Sequence, residues 1–260
     1  MTQATLASLM NYVSGSIITL YERDNRKPDT ETIERYVQFC NLSPLKRSLL
    51  LCAGDYPLTP DELALTLGQI EPYIQTLPFP SVICDYRSYV HAWNPDFANL
   101  FQSNQDSLLL EVGISWFALL FDVRSGLRSR LLSQGEWEGF VSQQVAQFLI
   151  NVRRYNLPSW GGERPWLSSL RHDLSIRSEA AFDTKWEQAL RLSSQAALLD
   201  ATQSSRPYQF GSYGFGLEQF RSLGPLADSS VTSTFLFARF HIAFDARLSV
   251  GIFFPLQSFS

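Results

Sequence analysis

The stretch LPFPSVICDYRSYVHAWNPDFANLF, residues 77–101, places a strand, a tight turn, a second strand and a helix start in immediate succession. Residues 80–84 are apolar and β-branched, which reads as a strand. Residues 85–88, Asp-Tyr-Arg-Ser, are polar and supply the turn, and residues 89–93 return as a second strand. Asn94 is a good N-cap, Pro95 suits the first helical position, and Asp96 favours the positive end of the helix dipole. Phe97, Leu100 and Phe101 then fall on one helical face. A hairpin running straight into an aromatic-faced helix predicts a sensor-like α+β domain.

Working outward toward the C-terminus, helical periodicity predicts helices over residues 115–132, 137–155, 166–174 and 181–198, with a break near Ser125-Gly126 and a loop at 157–162. After Arg206-Pro207 the pattern alternates and turns aromatic and β-branched, so 208–220, 232–244 and 247–254 read as strands. The expected product is an antiparallel sheet in which the 80–93 hairpin is joined by late strands, with the helices between them in sequence.

Toward the N-terminus, residues 1–57 predict four short helices. Thr2 caps the first, which faces inward through Leu6, Leu9 and Met10; Ser14 caps the second, with Ile17, Ile18 and Tyr21 inward. The third starts near Asp29-Thr30 and carries Ile33, Val37 and Phe39, and the fourth starts at Ser43-Pro44 and carries Leu45, Leu49 and Leu50. Residues 58–76 form a linker helix, capped at Thr59-Pro60 and striped by Leu63, Leu67, Ile70 and Ile74, with Pro72 expected to kink or end it. It reads as a spacer, a rod joining two domains, or a dimer-forming helix.

A chain of 260 residues with 45% hydrophobic content can fill a sizeable core. Net charge is −4, so bulk charge does not advertise nucleic acid. Cys40, Cys52 and Cys84 are odd in number, lack metal-ligand spacing and sit among apolar neighbours, which predicts buried reduced thiols and a cytoplasmic protein. No apolar run is long enough to span a membrane and no signal peptide precedes the first helix.

Several motifs resemble one family. Thr2-Gln3, Leu6-Ala7, Val13-Ser14, Ser16, Ile18, Tyr21-Glu22-Arg23, Lys27-Pro28-Asp29 and Asn41-Leu42-Ser43-Pro44 are similar, in that order, to the Xre-type helix-turn-helix. Pro80, Asp85, Arg87, Val90 and Ala92-Trp93-Asn94 resemble the opening of the MmyB-like ligand-binding domain that follows such a reader. Residues 116–122, Trp137, Arg153-Arg154-Tyr155, Phe182 with Trp186, and 248–254 resemble later parts of that domain, although Glu187-Gln188-Ala189 stands where the family has His-Asp-Val. The resemblance implies a truncated helix-turn-helix domain at 1–57 (the family carries one more helix before Thr2), a linker helix at 58–76, and a PAS-like domain at 77–260. It implies that Gln3 meets phosphate or an adjacent base, that Ser14, Gly15, Ser16 and Thr19 face the major groove of double-stranded DNA, and that Arg23, Asn25, Arg26 and Lys27 meet phosphates. It further implies a homodimer and a small apolar or fatty-acid-like ligand. Tyr89, His91, Trp93, Phe97, Phe101, Trp116, Phe117, Phe121 and Phe148 are the candidate lining, and Arg153 is the candidate partner for a carboxylate head.

Against this stand two alternatives. Strong base readers are Arg, Lys, Asn and Gln, whereas Gly15, Ser16 and Leu20 hold the groove-facing positions. Residues 1–57 carry six basic and six acidic side chains, and six minus six is zero. A ligand- or partner-binding module with a decayed DNA reader is therefore the second reading. A small-molecule enzyme is the third, resting on His172-Asp173 alone; no catalytic set and no metal-ligand spacing accompanies His91, His172 or His241, and the glycines at 211–216 lack the features of a phosphate cradle.

Overall fold

The computed structural model describes residues 2–23, 26–101, 111–121, 165–177 and 234–256, with helical pieces between 141 and 149 and between 183 and 191. It combines helices with a four-stranded antiparallel sheet. The mixed α+β class expected from the alternating and helical patterns is therefore present. The predicted strand at 208–220 and the loop at 157–162 lie outside the described residues.

The N-terminal helices are α1 (Gln3–Leu9), α2 (Ser16–Glu22), α3 (Thr30–Phe39) and α4 (Pro44–Ala53). Their starts follow cap chemistry. Thr2, Asp29 and Ser43 each accept from the backbone N–H three residues on, at 3.2, 2.7 and 3.4 Å. The second helix departs from expectation: its N-cap is Gly15 with no side-chain bond, and the Ser14 hydroxyl instead pairs with that of Ser16. The physical reason is packing. A Cβ at Gly15 would stand 3.3 Å from the Ala4 backbone nitrogen, so glycine lets the start of α2 approach α1. The ends of α1, α3 and α4 share one device. Asn11, Asn41 and Asp55 adopt φ of 58°, 49° and 57°, and the residue after each donates back to Ala7, Val37 and Leu51 carbonyls at 2.8, 3.0 and 2.8 Å. Leu6, Ala7, Met10 and Ile18 form the small core of this bundle. Leu9, expected inward, is 44% exposed because Ala7 takes the inner position.

α5 (Pro60–Thr76) opens on a full capping box between Thr59 and Glu62. Pro72 does not end it, and the helix continues to Thr76. Its stripe is covered: Ile70 and Ile74, flanked by Leu63 and Leu67, pack with Ile83, Ala92, Ile242 and Leu248 on one face of the sheet. α5 is thus a layer of the domain rather than a free-standing rod.

The sheet consists of β1 (Ser81–Asp85), β2 (Val90–Trp93), β3 (Thr234–Ile242) and β4 (Asp245–Leu256), in the order β2-β1-β4-β3. The central pairing joins the early hairpin to the late one, from Ser81 opposite Ile252 to Asp85 opposite Leu248. The opposite face from α5 carries Val82, Cys84, Val90, Phe237 and Phe253 beneath the helices α6 (Pro95–Phe101), α7 (Trp116–Phe121) and α8 (Pro165–Arg177). Gly251 meets the Phe237 ring: a Cβ there would fall 2.7 Å from its Cζ, so the close approach of the ring needs glycine. Asn94, 1% exposed, knits the layers together. Its Oδ1 accepts from the Ser81 and Phe97 amides at 2.9 and 3.0 Å, and its Nδ2 donates to the Phe79 carbonyl at 2.7 Å and to the Leu77 and Ile74 carbonyls at 3.3 Å.

The β1–β2 turn places Ser88 at φ 66°, fully buried, with a hydroxyl that finds no partner. Both features cost stability, because serine strains there and a buried hydroxyl without a bond is not compensated for lost water. Ser88→Gly is expected to stabilise the protein by about 1 kcal/mol, read as a thermal midpoint raised by roughly 2–4 °C.

Candidate nucleic-acid interface, aromatic face and the joint between them

At the N-terminal pair, the Gln3 side chain is the tether. Its Oε1 accepts from the Thr19 hydroxyl at 2.8 Å and its Nε2 donates to Glu22, so the first turn of α1 is held to α2. Ser14 and Ser16 are exposed beside the turn, and Gly15 is half-buried against α1. Arg23 and Lys27 are exposed; the Lys27 ammonium stands 4.3 Å over the Tyr56 ring and the Arg26 guanidinium 6.0 Å over Tyr21. Asn25 lies outside the described residues. Two further cations of the bundle are paired within the protein: Arg35 with Glu31, and Arg47 with Glu34 and Glu62. Val13, in the turn before α2, is fully exposed, and Leu20, within α2, is 39% exposed.

On the sheet's aromatic face, Phe97, Trp116, Phe117, Phe121 and Phe148 come together in one cluster with Trp186, Phe237 and Phe253, each at most 4% exposed. Trp116 stacks on Phe237 at 5.5 Å, Phe237 meets Phe253 at 4.5 Å, and Phe117 meets Phe148 edge-on at 4.9 Å. Trp93 is partly buried at its border. Tyr89 and His91 stand apart from the cluster. Tyr89 bridges to Ser115 through the backbone, and His91, the extra residue where the β1–β2 register shifts, points its Nε2 at Asp85 Oδ2, 3.1 Å away. The Phe101 side chain and Arg153 lie outside the described residues. Gln144 reaches the cluster from above: its Oε1 accepts from Trp116 Nε1 at 3.4 Å, while its buried Nε2 has no partner. Burial pushes the Cys84 thiol up to about 12, so it remains protonated and is no nucleophile. Cys52 is buried too, but Cys40 is only half-buried, a correction to the expectation for all three. His172 and Asp173 are exposed on α8. Among the described residues, no group of three His, Cys, Asp or Glu side chains could hold a metal ion, and no helix is long and apolar enough to cross a membrane.

Between these two regions lies a polar joint that sequence reading missed. Asp55, just past α4, gathers the β1–β2 turn and α8. Its Oδ1 accepts from Tyr86 Oη at 2.8 Å, from Arg87 Nη2 at 2.9 Å and from Trp166 Nε1 at 3.0 Å. The Arg87 guanidinium also lies 5.4 and 5.2 Å over the Tyr86 and Trp166 rings. Burial pushes the Tyr86 phenol well above its ordinary range, so it donates to Asp55 at every physiological pH. At the β3–β4 turn, Arg247 is 2% exposed and grips Asp245 on its own strand, Nε to Oδ1 at 3.0 Å and Nη2 to Oδ2 at 2.8 Å. It also reaches Glu62 at 3.1 and 3.2 Å, and Glu62 is shared with Arg47 at 2.9 Å. Alternating charge therefore runs Glu34–Arg47–Glu62–Arg247–Asp245 from α3 to β4. Beside it, the Ser48 hydroxyl accepts from the Ala246 amide at 2.8 Å, and Ala246 packs on Leu49 and Cys52.

Burial alone would raise the Glu62 carboxyl; hydrogen bonds from Arg247, the Thr59 backbone and Arg47 outweigh it and hold the group down to about 2, against an ordinary 4.5. A carboxyl lower in the folded than in the unfolded state contributes stability that is complete above the unfolded value and lost on acidification through the folded one. Stability should therefore fall between pH 4.5 and pH 2, and Glu62→Gln should flatten that segment of the acid-unfolding profile.

No protein-family model matches the chain, and no curated protein sequence matches it.

Proposed function

We propose that the chain is a ligand-responsive, DNA-binding regulator of transcription, similar to Xre-type helix-turn-helix regulators with an MmyB-like, PAS-like sensor domain. The observation that carries this reading is the α1–α2 pair: Gln3 locks two short helices together through Thr19 and Glu22 while the leading edge of α2, at Ser14 and Ser16, stays exposed. Arg23, Arg26 and Lys27 follow α2 closely, where a duplex backbone would pass. The sheet order, early hairpin beside late hairpin with helices over one aromatic face, supports the sensor half of the reading. In this reading the ligand is small and apolar or fatty-acid-like, the working unit is a homodimer, and the protein acts in the cytoplasm.

The test is fluorescence anisotropy with genomic fragments across a salt series. The expected result is binding that weakens linearly in log salt, with Arg23→Ala and Lys27→Ala each reducing the slope by about one. Absence of salt-sensitive binding overturns it.

A specific observation favours a second reading, a partner-binding module with a decayed reader. The turn and helix that would face DNA expose Val13, before α2, at 107% and Leu20, within α2, at 39%, and the Gln3 amide is already occupied. Apolar side chains at that place suit a protein surface better than phosphates.

A further inference from the structure

Both tips of the sheet rest on one helix. The β1–β2 turn is held by Asp55 at the end of α4, through Tyr86 and Arg87, and the β3–β4 turn is held by Arg47, Ser48 and Leu49 in its body, through Glu62, Arg247 and Ala246. A helix pinned at one point can pivot. A helix pinned at two separate points must follow the body it is pinned to.

The strand at the second pin is also part of the aromatic face. β4 carries Gly251 close to the Phe237 ring and Phe253 against Phe97, Trp116 and Phe237, and a few residues earlier it carries Asp245, Ala246 and Arg247 in the joint. We infer that β4 and α4 form a transmission lever: a change in packing on the aromatic face shifts β4, and α4, with α3 attached through Arg47–Glu34, moves with it. The charge chain makes the coupling stiff. If β4 shifts and the helices do not, the Ala246 amide leaves Ser48 on α4 and Arg247 leaves Glu62 on α5, and an arginine 2% exposed to solvent has no water to replace that carboxylate. Moving the helices as a unit keeps every pair intact. Packed interfaces of this kind respond by switching between discrete arrangements. The purpose of the lever, reorienting the α1–α2 pair, rests on the regulator reading; its existence does not.

Hydrogen exchange by mass spectrometry on the full chain tests it without DNA or ligand. Phe253→Leu perturbs the aromatic face only. With the joint intact, it is expected to change exchange in peptides covering residues 3–22 by at least about threefold. In a Glu62→Gln, Arg247→Met background, which removes one charge of each sign, the same substitution should change those peptides by less than about 1.5-fold while still affecting peptides over the sheet. Asp55→Asn, which weakens the other pin and leaves the buried arginine paired, gives an intermediate value and serves if the double variant does not fold. Equal propagation in all backgrounds, or none with the joint intact, overturns the lever. Propagation through an intact joint in a protein with no salt-sensitive DNA binding overturns the regulator reading and leaves the lever standing.

Discussion

Replacing Arg247 with methionine is expected to destabilise the protein by about 3–5 kcal/mol, the range for removing one partner of a buried ion pair. Methionine matches the length of the apolar stem, so the loss isolates the guanidinium. Its departure leaves Asp245, 7% exposed, beside Glu62, with only Arg47 remaining to balance the pair. Chemical denaturation read by tryptophan fluorescence checks the number. A second variant makes the assignment specific: adding Glu62→Gln should recover part of the loss, because it removes the carboxylate stranded by the first change. If the double variant loses no less than the two single losses added together, Glu62 is not a charge stranded by the departure of Arg247.

Asn94→Ala should cost about 3 kcal/mol, and a thermal midpoint lower by roughly 6–12 °C. The substitution removes the cap of α6 and takes from the Ser81 amide its side-chain acceptor in a site from which water is excluded. Asn94→Asp discriminates the two halves of the side chain. Aspartate keeps the acceptor for Ser81 and Phe97 but turns a carboxylate toward the Ile74, Leu77 and Phe79 carbonyls. It should therefore be destabilising at neutral pH and recover on acidification, when the protonated oxygen can donate.

The local fold was written in short-range chemistry. The hairpin at 81–93, the Asn94 cap with Pro95, the start of α5 at Thr59-Pro60 and both late strands follow from neighbouring residues, and each lies within a residue or two of expectation. Where local rules failed, a distant neighbour decided. Ser14 lost the cap of α2 because Gly15 is needed against Ala4, and Leu9 lost its inward place to Ala7. The stripe on α5 was visible, but its partner was not, since Ile83 comes from the early hairpin and Leu248 from the late one. The joint was hidden for the same reason. Glu62 and Arg247 are 185 residues apart, and nothing in a single sequence ties two charges at that distance. One signal was available: Asp245 and Arg247 interrupt an otherwise apolar, β-branched run, and charges placed inside such a run need partners. For the candidate site, the aromatic face was legible as a set of large rings at helical and strand spacing, whereas the placement of His91 opposite Asp85 depends on a register shift that no periodicity announces.

The pairing of β1 with β4 also sets an order of events during synthesis. Ser48 waits for an amide 198 residues downstream, and β1 for a neighbour that emerges from the ribosome equally late. Until then β1 presents an unpaired backbone edge, and its only strand partner is β2, in an early hairpin that is marginal by itself. A chain stalled before residue 245 would keep its capped helices and lack the middle of its sheet, which makes the growing polypeptide, more than the finished one, the species in need of a chaperone.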